Sequence, residues 1–274
     1  MEHTVKRLLL PLCLALLLLL AACGASDAQA AASPAPESAA ESTAAPEPTP
    51  EPTPEPTPVP ETPASRAAAQ GLPEPPDIDI TSWEYMLANS NNGISEYHIP
   101  QYGGIEGQGI DPRIMDQAYA FLQGARAEGY KAYIAVAYRN FEFLFNLYQH
   151  MINEYGSAAA AAAVYPGAGC SEHQLGLALD FTDNPGRSAF YQYFDNTGFE
   201  ETELYQWLHE HCAEYGFIDR YPEGKEYYYG TPCTEGHFRY VGEEAARYIM
   251  DNGICFEEFI MLYAPERVFI PGAE

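Results

Sequence analysis

The chain has 274 residues, with 13 Lys and Arg against 39 Asp and Glu and a formal charge of −26. Binding to a phosphate backbone needs clustered basic side chains, so this balance excludes nucleic acid as a partner. It equally disfavours direct adsorption of the protein surface to an anionic membrane.

Residues 1–23 read as an export signal. Lys6 and Arg7 form a positive start, and Leu8 to Leu20 is an apolar run too short for a comfortable membrane span. The run ends in Leu20-Ala21-Ala22-Cys23, similar to a bacterial lipobox, in which the cysteine is lipidated and becomes the mature N-terminus. Cys23 is therefore the expected lipidation site, holding an exported protein at the outer face of the cell membrane. One acyl chain alone anchors only marginally, so more than one is expected. The alternatives are an ordinary signal peptide cut elsewhere, or an uncleaved anchor.

Residues 24–76 are low in complexity, rich in Ala, Pro, Glu, Ser and Thr, with a Thr-Pro-Glu-Pro repeat from Pro48 to Pro58. No aromatic residue occurs there, so burial has little with which to offset ordering entropy. Proline favours extended polyproline II at ~3.1 Å per residue, a reach on the order of 150 Å. The segment reads as a disordered tether from membrane into cell wall.

Residues 77–274 are expected to form one folded domain. Thr81 to Asn89 carries apolar residues without a clear period. Asp111-Pro112 is a good helix start, with Asp as cap and Pro at the first helical position. Ile114, Ala118, Phe121, Leu122 and Ala125 then recur at helical spacing up to Gly129. Residues 132–138 alternate as a strand that delivers Arg139 at its end. Phe141 to Tyr155 and Thr202 to Tyr215 read as amphipathic helices, the first followed by an alanine run from Ala158 to Ala163. Glu243 to Asp251 and Phe256 to Tyr263 complete the helices. Strands at 177–182 and 237–242, without regular βαβ alternation, give an α+β fold: a small antiparallel-type sheet packed with helices.

The richest stretch is Ser171-Glu-His173-Gln-Leu-Gly176-Leu-Ala178-Leu-Asp180. Period two places Asp180 on one face with Ala178 and Thr182, and a turn at Gly176 would let His173 fold back towards it. A second imidazole, His237, opens another β-type run. Two histidines and an aspartate make a three-ligand set, the number that catalytic zinc uses while leaving a position for water. Taken alone, a His-x6-Asp pair is more often a hydrogen bond that supports a core. His98, His150, His209 and His211 read as surface or helix residues.

The pattern Ser-x-His-x-x-Gly-x-Ala-x-Asp resembles the zinc D-alanyl-D-alanine carboxypeptidases of the VanY type, relatives of the VanX dipeptidases. The resemblance extends to Ala137-Tyr-Arg139-Asn140, to Tyr215 through Lys225, and to His237-Phe-Arg-Tyr-Val-Gly242. It implies the same α+β fold and a Zn²⁺ ion held by His173, Asp180 and His237. It also implies Arg139 as the group that binds substrate and stabilises the oxyanion. Ser171 either touches substrate or holds its loop. Arg239 and Tyr240 are left without a role. The implied activity is removal of the terminal D-Ala from peptidoglycan stem peptides. The alternatives are an endopeptidase, an L,D-carboxypeptidase, or a zinc-containing wall-binding module with weak turnover.

Two further expectations follow from the resemblance. With both histidines on one metal, Cys170 and Cys233 come near each other, which makes Cys170–Cys233 the preferred disulfide and leaves Cys212 with Cys255. The family usually reads Glu-Pro-Trp-His, but three places before His237 this chain has Thr234. Glu235 is therefore expected to have become the general base, since Glu172, beside His173, carries no catalytic duty in that motif.

Overall fold

The computed structural model describes residues 61–184, 198–231 and 236–272. Helix α1 (Pro63–Ala69) is followed by a hairpin of β1 (Gly103–Ile105) and β2 (Gln108–Ile110), then α2 (Met115–Ala127), β3 (Tyr133–Val136), α3 (Phe141–Tyr155) and α4 (Ala158–Ala162). Next come β4 (Ala178–Thr182), α5 (Glu203–His211), β5 (Phe217–Asp219), α6 (Glu226–Tyr229), β6 (His237–Tyr240), α7 (Glu243–Asn252) and α8 (Phe256–Tyr263). The main sheet has the order β3-β4-β6-β5 with every neighbour antiparallel, which is the expected α+β arrangement.

Alternation along the strands decides where the core goes. Leu179 and Phe181 of β4, Phe217 of β5 and Phe238 of β6 meet the apolar stripe of α2, where Ala118, Phe121, Leu122 and Ala125 are all fully buried. Phe121 is the hub, its ring 5.0 Å from Phe181, 5.4 Å from Phe217 and 5.5 Å from Phe238. On the opposite side Ile218 and Val241 pack with α7 and α8, where Phe256, Phe259 and Ile260 form a second cluster. The middle of that side, along β4 and β6, carries polar groups instead.

Three local expectations need adjustment. The folded part begins earlier than residue 77. Thr62 and Ser65 cap α1 reciprocally, Ala67 is buried in the second cluster, and Arg66 Nη1 donates to the carbonyl of Leu262 at 2.9 Å. The Tyr248 and Tyr263 hydroxyls donate to the carbonyls of Pro73 and Pro76, so the last residues assigned to the tether lie against the domain. The helix expected over 202–215 is α5 plus a tighter turn, Cys212–Tyr215, closed by Gly216 at φ +79°. The β1–β2 hairpin was not anticipated. Its turn residues Glu106 and Gly107 both have positive φ, as a two-residue hairpin loop demands.

Residues 1–60, which carry the expected signal, Cys23 and most of the tether, lie outside the described residues. Among the described residues no helix is long and apolar enough to cross a membrane.

Candidate metal centre

Asp180 and His237 stand directly opposite each other on β4 and β6. Their neighbours Leu179 and Phe238 point into the aromatic core, so alternation turns both site residues to the other face. His173 reaches them from a short turn, Glu172–Gln174, that Ser171 caps by accepting from the His173 N–H at 3.4 Å. The chain re-enters the sheet through Gly176 at φ +73°, where an added Cβ would sit 3.2 Å from the Asp111 nitrogen. A side chain there would crowd Asp111 and strain the left-handed backbone, which favours glycine. The Arg139 N–H donates to the His173 carbonyl at 3.0 Å, which ties the end of β3 to the same turn.

Three donor groups converge. Asp180 Oδ1 lies 2.7 Å from His237 Nδ1, and Asp180 Oδ2 lies 3.2 Å from His173 Nε2. The ligand atoms of all three side chains fall within 4.8 Å of one another, and the three are at most 7% exposed. Among the described residues this is the only such group of three. Two imidazoles and a carboxylate, aimed at one point and open to a cleft, fit the donor set of a catalytic zinc.

The electrostatics separate the two histidines. Burial lowers the His173 pKa and outweighs the attraction of Asp180. Burial also acts against charge on His237, but hydrogen bonds to Asp180 and Glu172 raise its pKa to about 9. Asp180 would be raised by burial, yet the two imidazoles hold its carboxyl well below the usual range.

Behind His237 lies a buried ion cluster. Glu172 Oε1 accepts from Arg220 Nε at 2.8 Å and from Arg239 Nη1 at 2.7 Å, while Glu172 Oε2 is 3.3 Å from His237 Nε2. Arg220 also makes a two-pronged pair with Glu257, which in turn accepts from Asn89. Arg239 donates twice more, to the carbonyls of Glu84 and Met86. Arg220, Arg239, Glu172 and Glu257 are at most 1% exposed, so each charge depends on the others. Sequence reasoning passed over this set. Two signals were available: Arg239 shares the face of His237 by alternation, and Glu257 interrupts the apolar run of α8.

The site opens into a cleft of about 70 Å³ lined by Arg139, Ser171, Tyr165, Tyr221 and Thr231 beside the three donors. Arg139 also borders a second cleft of about 300 Å³ walled by Tyr102, Tyr138, Gln108 and Phe143. The structure thus brings together His173, Asp180, His237, Arg139 and Ser171. Glu235 and Cys233 lie outside the described residues. Gly236, the first described residue after them, has φ +78°.

Other described histidines have partners of their own. His209 pairs with Asp219 at 2.8 Å and His211 with Glu214 at 2.9 Å. Cys170, Cys212 and Cys255 are free thiols, and no disulfide is formed among the described residues. The expected Cys212–Cys255 pair is not made, because Cys212 is buried in the aromatic core while Cys255 caps α8.

The sequence profile of the VanY D-alanyl-D-alanine carboxypeptidase family matches residues 107–243. A D-alanyl-D-alanine carboxypeptidase of Enterococcus faecalis is 34% identical over 191 residues, covering 66% of this chain and 67% of the relative. The VanY D,D-pentapeptidase of a VanB-type resistance cassette, crystallised with zinc, superposes with a TM-score of 0.56 at 31% identity, covering 65% of this chain and 99% of that one. The same type of protein in complex with D-alanine-D-alanine gives 0.55 at 32% identity, covering 65% and 98%. The L,D-carboxypeptidase LdcB gives 0.56 at 27% identity, covering 69% and 93%. By its sequence profile, its relatives and its fold, the chain belongs to the VanY family of D-alanyl-D-alanine carboxypeptidases.

Proposed function

We propose that this protein is a zinc-dependent carboxypeptidase that removes the C-terminal D-Ala from peptidoglycan stem peptides. The observation that carries this reading is the convergence of His173, Asp180 and His237 within 4.8 Å at the base of a cleft bordered by Arg139. These three residues would hold the zinc. Bound there, it supplies Lewis acidity towards a peptide carbonyl and a water made nucleophilic near neutral pH.

The chain's own groups do the rest. Arg139, largely buried and with its Cζ 4.8 Å from the Phe143 ring centroid, is anchored by its backbone to the His173 turn. Its fixed charge beside the donors stabilises the oxyanion that develops at the scissile carbonyl. Ser171 holds the turn and lines the same cleft. Glu235 is the proposed general base, taking a proton from the attacking water and returning it to the leaving amine. It is the acidic residue nearest in sequence to His237, and the left-handed Gly236 gives the chain latitude to bring it round.

The test is incubation with stem pentapeptide, with and without a chelator, followed by mass analysis. Loss of one alanine, abolished by the chelator, is the expected result. A tetrapeptide in parallel reads out L,D-cleavage, and full conversion of that substrate alone would replace the D,D- assignment. Export and attachment through lipidated Cys23 belong to the same proposal. Cys23→Ala should release the protein from the membrane fraction.

A further inference from the structure

The His237 ring sits between two carboxylates, Asp180 at 2.7 Å from Nδ1 and Glu172 at 3.3 Å from Nε2. Only the first belongs to the ligand set. Glu172 comes from the turn that carries His173, yet its side chain reaches past that neighbour to the other histidine. We infer that Glu172 is a positioning residue of the metal centre: it accepts the Nε2 proton of His237, so that Nδ1, the nitrogen on the Asp180 side, is the one that faces the metal. This rests on the reading of His173, Asp180 and His237 as ligands.

Imidazole has one proton for two nitrogens when neutral, and the partner of one nitrogen decides what the other can do. An acceptor at Nε2 fixes the proton there. Glu172 is an acceptor only, because Arg220 and Arg239 surround its other oxygen and both donate to it. The two arginines are held in turn, Arg220 by Glu257 and Arg239 by the carbonyls of Glu84 and Met86. The cluster therefore fixes both the charge and the direction of the Glu172 carboxylate, with no solvent to substitute for it. A glutamate serving only to neutralise the arginines would not need its second oxygen turned to His237.

Glu172→Gln makes the point chemically. The two guanidiniums would claim the amide oxygen, leaving the NH₂ group facing Nε2. That nitrogen must then accept, and the ring proton moves to Nδ1, on the metal side.

The experiment measures zinc affinity of the purified protein by competition with a chromophoric chelator, and the visible spectrum of the cobalt-substituted form. The parent should bind one metal. Glu172→Gln should bind about 10–100-fold more weakly, the usual effect of removing a hydrogen-bond partner of a ligand, with shifted cobalt bands. Glu172→Asp keeps a charge for the arginines but draws back from His237. It should shift affinity in the same direction, and it serves where the glutamine variant does not fold. Glu257→Gln breaks the same cluster on the side away from His237 and leaves the Glu172 carboxylate in place, so it should lower the melting temperature and cost much less zinc affinity than Glu172→Gln. Parental affinity in both Glu172 variants overturns the inference alone, as does a loss in Glu257→Gln equal to that in Glu172→Gln. A parent that binds no zinc overturns the ligand assignment, and this inference with it.

Discussion

The two faces of the β4–β6 pair serve opposite purposes. On one face Leu179, Phe181, Phe217 and Phe238 close around Phe121 in a dry aromatic cluster. On the other, Asp180, His237 and Arg239 stand at alternate positions of the same β4–β6 pair. The apolar face fixes the register, since a slip of one residue would turn every side chain to the wrong side. The polar face inherits its geometry from that register. The carboxylate faces the imidazole because the leucine next to it faces a phenylalanine.

The comparison is broken most completely on the polar side. Replacing His173, Asp180 or His237 with Ala should reduce bound zinc to near background and abolish turnover of stem pentapeptide. Metal analysis and product mass together check it, with the aromatic core and the melting transition retained. On the apolar side Phe121→Ala removes the hub and should cost about 3–5 kcal/mol of stability. Denaturant titration reads this loss, while zinc stoichiometry of the folded fraction stays at the parental value. A smaller effect separates metal holding from proton transfer. Glu235→Gln should keep its zinc and lose about 10²-fold in kcat, equivalent to about 2.7 kcal/mol. Turnover equal to the parent would remove Glu235 from the mechanism.

The smallest expected effect concerns a histidine–carboxylate pair that makes no metal site. His209, half exposed on α5, lies 2.8 Å from Asp219, and that hydrogen bond raises its pKa above the ordinary 6.5. A raised pKa on a base stabilises the folded state fully below the unfolded value, and the gain fades as pH rises through the folded one. His209→Ala should therefore lower the melting temperature at pH 6 and below, with the gap closing at higher pH. Solvent screening limits the effect to under about 1 kcal/mol. A gap independent of pH would sink the assignment.

The candidate ligands were legible through the family motif, since a His-x6-Asp pair alone reads as a core hydrogen bond. Alternation and one glycine show only that His173 and Asp180 could meet, and His237 lies on a second β-run. The helices followed from local signals, such as the Asp111-Pro112 start, which opens as a tighter turn over Pro112–Ile114 before α2, and the stripe ending at Gly129. What escaped depends on distant partners. Glu172, Arg220, Arg239 and Glu257 are charged residues whose burial makes sense only once four segments have met. Residues 63–76 look like more of the Pro/Ala-rich tether until the Leu262 carbonyl is placed beside Arg66 of α1, and Tyr248 and Tyr263 beside Pro73 and Pro76. The β1–β2 hairpin hid behind Glu106, a residue rarely asked to take positive φ.

The pairing of Asp180 with His237 across two strands also sets an order of events in time. In small zinc domains the ion organises the chain, and stripping it unfolds the protein. Here two of the three donors are set opposite each other by phenylalanines and leucines that never touch the metal. The protein should therefore fold first and load zinc afterwards, as a finished socket rather than a chain seeking a nucleus. Such a molecule tolerates periods of metal scarcity without being lost. Stripped of zinc it should stay folded and lose turnover, and regain turnover when zinc is restored.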